Sequence, residues 1–268
     1  MADIALTRFS YFQQMWRLRY FWMSLVCNDI VNRYRRSFLG VGWSLLRPLS
    51  MTFVFCVVFG ALFNQPTTEY APFLMVSMAV WQFMHESMSA GCNTFINSAA
   101  YIRQQRVPLA IFPLRTVLGT GFHFLIAFTL ALGMTLYFKG IGDPLVALAA
   151  IPAMVLIFLF AWAAATVLGL VQTHFPDCAQ LYEIGMQILF YLTPVVYKTE
   201  LFPQRRKLLL LLNCNPCYSL LELVRRPILD GMLPPVTNVA IAVGFVAMVV
   251  LLAWVCLRKL ERNLVFWV

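Results

Sequence analysis

The sequence predicts an all-α integral membrane protein with six transmembrane helices, an N-terminal amphipathic interface helix, and short re-entrant gate helices at the outer mouth between spans five and six. Three observations carry that prediction. Hydrophobic residues make up 61% of the 268 and charged residues only 12%, with a mean hydropathy of +0.77, which excludes soluble globular, disordered and fibrous classes. Six apolar stretches reach the length of about 20 residues that a helix needs to cross the hydrocarbon core. Their rough limits are 43–64, 71–93, 114–138, 145–172, 179–197 and 236–257. Thirteen of the twenty Lys and Arg residues then share one side of the membrane, as the positive-inside rule requires for an even number of spans with both termini cytoplasmic. The first thirty residues scatter Arg8, Arg17 and Arg19 among aromatics and lack the uninterrupted apolar core of a cleavable signal. The whole chain, 1–268, reads as one membrane domain without an internal repeat.

The interface helix is expected over about 14–41. At helical spacing Cys27, Ile30, Val31, Tyr34 and Phe38 form one face and Asp29, Asn32, Arg33 and Arg36 the other, as in a helix lying on a membrane. Gly40 and Gly42 permit a sharp change of direction. Trp43 suits the headgroup zone, and Arg47 can extend its stem back toward lipid phosphates at the start of span one.

After span two comes a basic loop, Asn97 to Arg115. A short helix-compatible run, Ser98 to Arg106, precedes Pro108 and Pro113, which end it and start span three at an angle. Such a projecting helix suits docking to another protein; an ordinary basic connector is the plainer reading.

Within the spans, His85, Glu86, His123 and Glu183 are the ionisable groups. Glu86 is the strongest functional candidate, because a carboxylate in hydrocarbon costs several kcal/mol unless it faces water, a partner or the bundle interior. The alternative is a His-paired or protonated carboxyl that locks helices together. His123 and His174 read as packing or boundary residues. Pro194 is expected to break span five near its outer end and free carbonyls that need water or substrate, beside the aromatic cluster Phe190, Tyr191 and Tyr197.

Six of the seven remaining basic residues, Lys198, Arg205, Arg206, Lys207, Arg225 and Arg226, fall between spans five and six; the seventh is Lys139. Leu208 to Leu212 and Leu220 to Val224 are too short to cross and are punctuated by Pro203, Asn215, Pro216, Pro227, Pro234 and Pro235. The region 198–235 therefore reads as re-entrant or surface-lying elements over an outer opening. Of the seven cysteines only Cys214 and Cys217 are close in sequence, a pair able to form a disulfide in an oxidising compartment.

The net charge of +9 does not argue for nucleic acid, since membrane proteins concentrate basic residues at their cytoplasmic face. No phosphate-binding loop, HExxH, GxSxG or metal-ligand spacing occurs, so the chain is expected to have no catalytic centre, metal or cofactor of its own.

Four segments in order, RYRRSFLGVGWSLLRP, NSAAYIRQQRVPLAIFPLR, FPDC with LTPVVY, and LNCNPCYSLLELVRRPILDG, resemble the membrane subunit of type-2 ABC exporters, in the branch that secretes O-antigen, capsule or teichoic acid. The resemblance covers nearly the whole chain. It implies a homodimer in the bacterial inner membrane around an axial channel, with two copies of a cytoplasmic ATPase that binds ATP and Mg. It also implies roles for individual residues. Tyr101, Ile102, Arg103, Gln104, Gln105, Arg106 and Pro108 would couple to the ATPase. Arg33, Tyr34, Arg35, Arg36, Trp43 and Arg47 would meet lipid headgroups at the interface. Phe190, Tyr191, Pro194 and Tyr197 would line the glycan path, and Asn215, Pro216, Arg225 and Arg226 would gate the outer mouth. Export of a drug or small lipid-like molecule by the same fold is one alternative. An integral membrane glycosyl- or acyltransferase with His85 and Glu86 as acid–base pair is another.

Overall fold

The computed structural model describes residues 8–35, 37–104, 107–140, 143–199, 212 and 214–261, with side chains from residue 11 onward. The described residues are helical and turn structure without strands. Helices α1 (Arg8–Arg17) and α2 (Arg19–Tyr34) stand where one continuous interface helix was expected. They part at Leu18, and α2 stops before Ser37, whose hydroxyl accepts a hydrogen bond from the Gly40 N–H at 3.2 Å. Gly40 lies at φ +51°, the left-handed region that glycine adopts without steric cost, and opens a single 3₁₀ turn, Gly40–Gly42. Gly42 lies at φ −57°, so Gly40 alone makes the change of direction.

The chain then enters α3 (Trp43–Phe63), α4 (Thr67–Cys92), the short helices α5 (Thr94–Asn97) and α6 (Ala99–Gln104), and α7 (Ile111–Phe138). Next follow α8 (Pro144–Ala147), α9 (Ala150–His174), α10 (Cys178–Leu192), α11 (Pro216–Arg225) and α12 (Val236–Leu260). Four segments are long and apolar enough to span: Gly40–Phe63, Ile111–Phe138, Pro144–His174 and Val236–Leu260. The other two expected spans differ for separate reasons. With 26 residues α4 is long enough, but it carries Gln82, His85, Glu86 and Ser89. With 15 residues α10 rises only about 22 Å, short of a hydrocarbon core of about 30 Å.

The core is built around α4, which packs against α3, α7, α9, α10 and α11 and is buried without interruption from Tyr70 to Trp81. It crosses α9 at van der Waals limits. A Cβ on Gly91 would lie 2.5 Å from that of Ala165, and one on Gly169 would lie 2.8 Å from the Gly91 carbonyl oxygen. Small residues at this crossing let two backbones touch, which is how helices gain packing energy where lipid removes the hydrophobic incentive.

Helix α11 corrects the expectation of a surface-lying element at Leu220–Val224. Asn215 caps it, accepting from the Cys217 N–H at 3.0 Å, and every residue from Cys217 to Arg225 is buried. Leu208 to Leu211 lie outside the described residues. Arg225 is 3% exposed and does not face an opening. Its Nε donates to Ser77 Oγ at 2.7 Å, its Nη2 to the carbonyls of Pro194 and Val195 at 2.5 and 3.3 Å, and its guanidinium lies over the Phe73 ring. Glu222, 3.5 Å from Arg225 and 2.8 Å from Arg226, supplies the counter-charge. Burial lowers the Arg225 pKa from its ordinary value, and Glu222 opposes that shift. The carbonyls freed beyond α10 thus find protein donors rather than water: Tyr70 takes the next one, its hydroxyl donating to Val196 at 2.6 Å.

Replacing Arg225 with Gln is expected to cost about 3 kcal/mol, since it strips donors from buried carbonyls and half-unpairs Glu222. Cys92, Cys178 and Cys217 are free and buried, so the rate at which a thiol-reactive dye labels them on heating reports the loss. An unchanged labelling midpoint would show that Arg225 is not the clasp.

Candidate functional site: an interfacial cavity and a polar groove

Where α2 gives way to α3, against α4 and α7, lies a cavity of about 370 Å³. Arg33, Tyr34, Trp43, Ser44, Arg47, Ser50, Gln82, Glu86, Thr120 and His123 supply its polar lining, and Phe83, Phe124 and Ala127 are among its apolar residues. His123 Nδ1 lies 2.9 Å from both the Tyr34 hydroxyl and Ser44 Oγ, and those two hydroxyls are 2.7 Å apart. This three-way contact ties α2, α3 and α7 together, so His123 does more than the packing expected of it. Arg47 Nη1 donates to Glu86 Oε1 at 3.1 Å, and Gln82 donates to the same oxygen at 3.1 Å. Arg33 makes no ion pair among the described residues and adds a cation to the lining. Nearby, Arg115 grips Asp29 through two parallel 2.5 Å hydrogen bonds, which fixes α2 on α7. Of the expected polar face Asp29 therefore meets protein, while Asn32 and Arg33 stay exposed, and Val31 and Phe38 of the expected apolar face are exposed on the chain's surface.

Beside the cavity, Gln82, His85, Glu86 and Ser89 recur at helical spacing and form a polar stripe on the one side of α4 that its neighbours leave open. A second stripe, Gln180, Glu183, Gln187 and Tyr191, runs along α10 and is exposed throughout. The two meet at Glu183, whose Oε1 accepts from Ser89 Oγ at 2.6 Å and whose Oε2 lies 3.0 Å from His85 Nε2. Tyr182 donates to the His85 carbonyl at 2.9 Å and holds the helices in register. His85 and Glu86 thus point to different partners, Glu183 and Arg47. No acid–base pair forms between them, and neither carboxylate is unpaired.

Of the four expected path residues, Phe190 and Tyr191 touch edge to face and Tyr197 bonds to Tyr191, but their exposure differs. Phe190 packs against Phe55 and Trp81, Pro194 is buried, and Tyr191 is 69% exposed. The Tyr197 hydroxyl donates to the Tyr191 carbonyl at 3.1 Å. Next to the α10 polar stripe runs an exposed apolar one, Leu181, Ile184, Ile188 and Leu192.

Of the loop residues, Tyr101, Arg103 and Gln104 are exposed on α6, Ile102 and Pro108 are buried, and Gln105 and Arg106 lie outside the described residues, as does Arg36. The loop is seated on both chain ends. Glu261 Oε1 accepts from the Leu109 N–H and the Tyr11 hydroxyl, each at 3.4 Å, and the Tyr11 oxygen accepts from the Ala110 N–H at 3.2 Å. Burial raises the Glu261 pKa, and those donors oppose it. Tyr101 packs edge-on to Phe21 of α2 and lies under Arg115, so the short helix, the interface helix and α7 touch at one point. Cys214 and Cys217 are both free, Cys214 exposed and Cys217 buried. No group of three or more metal-ligating side chains occurs among the described residues.

The family model for the ABC-2 type transporter matches residues 20–229 of this sequence. Two proteins of Klebsiella pneumoniae, each called O-antigen export system permease protein RfbA, are 26% and 25% identical over 212 residues, covering 76% of this chain and 78% of theirs. A protein of the same description from Myxococcus xanthus is 24% identical over 224 residues, covering 83% of this chain and 85% of its own.

The two stripes predict where water reaches the bundle. In a cysteine-free background, single cysteines at Gln180, Glu183 and Gln187 are expected to react with a membrane-impermeant thiol reagent at least about tenfold faster than one at Val155 on α9, which is exposed but apolar in setting. Equal rates at all four positions would remove the hydrated groove.

Proposed function

The chain belongs to the ABC-2 type transporter family, and from that premise we propose that it is the channel-forming permease subunit of an ATP-driven exporter of O-antigen-type, lipid-linked polysaccharide. The match over residues 20–229 carries the proposal. A groove lined by the Arg47–Glu86 ion pair, the His85–Glu183 hydrogen bond and three glutamines supports it, because hydroxyl-rich sugars need such donors and acceptors and lipid tails need none.

In this reading α4 and α10 are the second and fifth spans, with residues 193–199 completing the outer end of the latter. The end of the bundle where Tyr11 meets Glu261 is cytoplasmic, in keeping with the basic residues gathered there. Two copies enclose the path, the apolar stripe of α10 and the lightly covered α3 of the partner closing it laterally. Only 11% of the α3 segment is buried within one chain, which supports such a cover. ATP and Mg belong to two cytoplasmic ATPase subunits that seat against Tyr101, Arg103, Gln104, Gln105 and Arg106. Motion passes from there through the Tyr101–Arg115–Asp29 contact to the interface helix. Arg33, Arg35, Arg36 and Arg47 draw the anionic headgroup of the lipid carrier to the cavity. Asn215, Pro216, Arg225 and Arg226 brace the outer end, with Arg225 as a clasp rather than a contact for sugar.

Native mass spectrometry of the protein taken from its own membranes in mild detergent should give two copies of this chain with two ATPase chains. A reproducible complex without any nucleotide-binding chain would overturn the exporter. A deletion strain should accumulate lipid-linked glycan on the cytoplasmic side, whereas accumulation of a small amphiphile alone would point to a different cargo. Arg106→Glu is expected to reduce export by about a hundredfold or more while leaving insertion intact, since it opposes charge at the docking site; unimpaired export would remove the coupling role.

A further inference from the structure

The cavity poses a selectivity problem that its own residues answer. In the headgroup reading it faces a leaflet in which phospholipids, most with a single ionised phosphodiester, vastly outnumber any lipid-linked glycan. A pair of arginines alone would bind the abundant lipid. Here Arg47, 65% exposed at its side chain, is held by Glu86, 25% exposed, through one guanidinium nitrogen at 3.1 Å. Glu86 is itself fixed from behind by Gln82, one helical turn earlier on α4. The carboxylate therefore cannot follow Arg47 when the long arginine stem swings, and any anion entering the cavity competes with it.

We infer that Glu86 is the specificity-determining residue of this cavity: by competing for Arg47 it keeps out phospholipids with a single phosphodiester and admits a lipid diphosphate. The inference rests on the headgroup reading given above. The charge arithmetic favours it. Arg33, Arg47 and Glu86 together present one net positive charge. A single phosphodiester can bind Arg33 but gains little by displacing Glu86, which already neutralises Arg47 with equal charge. A diphosphate has two adjacent ionised phosphoryl groups and can bridge both arginines, so unlike a lipid with a single phosphodiester it repays the exchange. The apolar lining from Phe83, Phe124 and Ala127 offers a surface for the first carbons of the chain. Tyr34, Ser44 and His123 supply neutral polar contacts that do not discriminate by charge.

The test uses the full chain in nanodiscs, with radiolabelled farnesyl diphosphate as probe, in phosphatidylcholine alone and with phosphatidylglycerol added. In the wild type, phosphatidylglycerol should change the apparent Kd by less than about twofold. In Glu86→Gln it should raise that Kd about tenfold, the worth of one charge-assisted contact handed to the competing lipid. Arg33→Gln and Arg47→Gln should each weaken binding about tenfold in both bilayers. Inorganic pyrophosphate should compete at least about tenfold less well than unlabelled farnesyl diphosphate, for want of the chain; equal competition would make the site one for the free anion and overturn the lipid assignment. If both arginine variants bind as the wild type does, the headgroup reading itself falls. If they weaken binding but Glu86→Gln keeps the wild-type response to phosphatidylglycerol, only the selectivity of Glu86 falls.

Discussion

A polar stripe on a helix that must also be the centre of the bundle is the constraint from which the rest of this structure follows. Because α4 is covered from Tyr70 to Trp81 on every side, its open polar strip within the bundle is the one carrying Gln82, His85, Glu86 and Ser89. That strip cannot face lipid, where unpaired polar groups cost several kcal/mol each. Neighbouring helices answer with polar partners: α3 brings Arg47 to Glu86, and α10 brings Glu183 within hydrogen-bond reach of His85 and Ser89. Each pair leaves both partners part-exposed, so the strip is satisfied without being sealed. The stripe thereby decides which side of the bundle stays open and which two helices flank it.

The two ends of the bundle are fastened by different chemistry. At one end Arg225 gathers Ser77, two carbonyls and Glu222 in a buried cluster. At the other, Glu261 and Tyr11 hold the backbone of Leu109 and Ala110, with Trp162 donating to the Ala110 carbonyl at 3.1 Å. Between them, α3 packs Leu49, Phe55, Cys56 and Phe59 and α10 packs Tyr182 and Met186 on the core around α4, while the polar contacts Arg47–Glu86 and His85–Glu183 are part-exposed and worth at most about 1 kcal/mol each. Exchange of polar partners therefore costs least along the part-exposed strip and most at the two clasps. A machine that opens a path and keeps its ends assembled needs that distribution.

Much of this was legible in the sequence, and the failures have physical causes. Four spans lie within a few residues of their hydrophobic runs, because a sustained apolar run needs no partner to declare itself. Gly40 was readable as a turn, and Pro194 as the end of α10. What composition hid was partnership. Arg225 and Glu222 look like solvated charges until α4 brings Ser77 and Phe73 over them. Asp29 looks like the wet face of an amphipathic helix until Arg115, 86 residues away, closes on it. The groove did leave a signal in the polar residues of α4 and α10 at spacings of three and four, but that signal lies within apolar windows that read first as spans. His85 and Glu86 invited pairing because they are adjacent in sequence. On a helix adjacent residues point about 100° apart, so adjacency argued against the pair.

Sharing one residue between the cavity and the groove shapes how a long polymer would pass in the proposed exporter. A tight sugar site would stall each repeat, so the stripe must offer many weak and interchangeable contacts. Its glutamines, serine and ion-paired groups do so, none presenting an isolated charge that would trap or repel a sugar. Glu86 lies at the junction: it lines the cavity with Arg47 and Gln82 and continues along α4 into the stripe of His85 and Ser89. When a diphosphate takes Arg47, the carboxylate it releases becomes an acceptor at the start of the groove, next to where the first sugar of a lipid-linked chain would emerge. Binding of the carrier would then prepare the path for its cargo through a single exchange of hydrogen-bond partners, without a separate signal between the two sites.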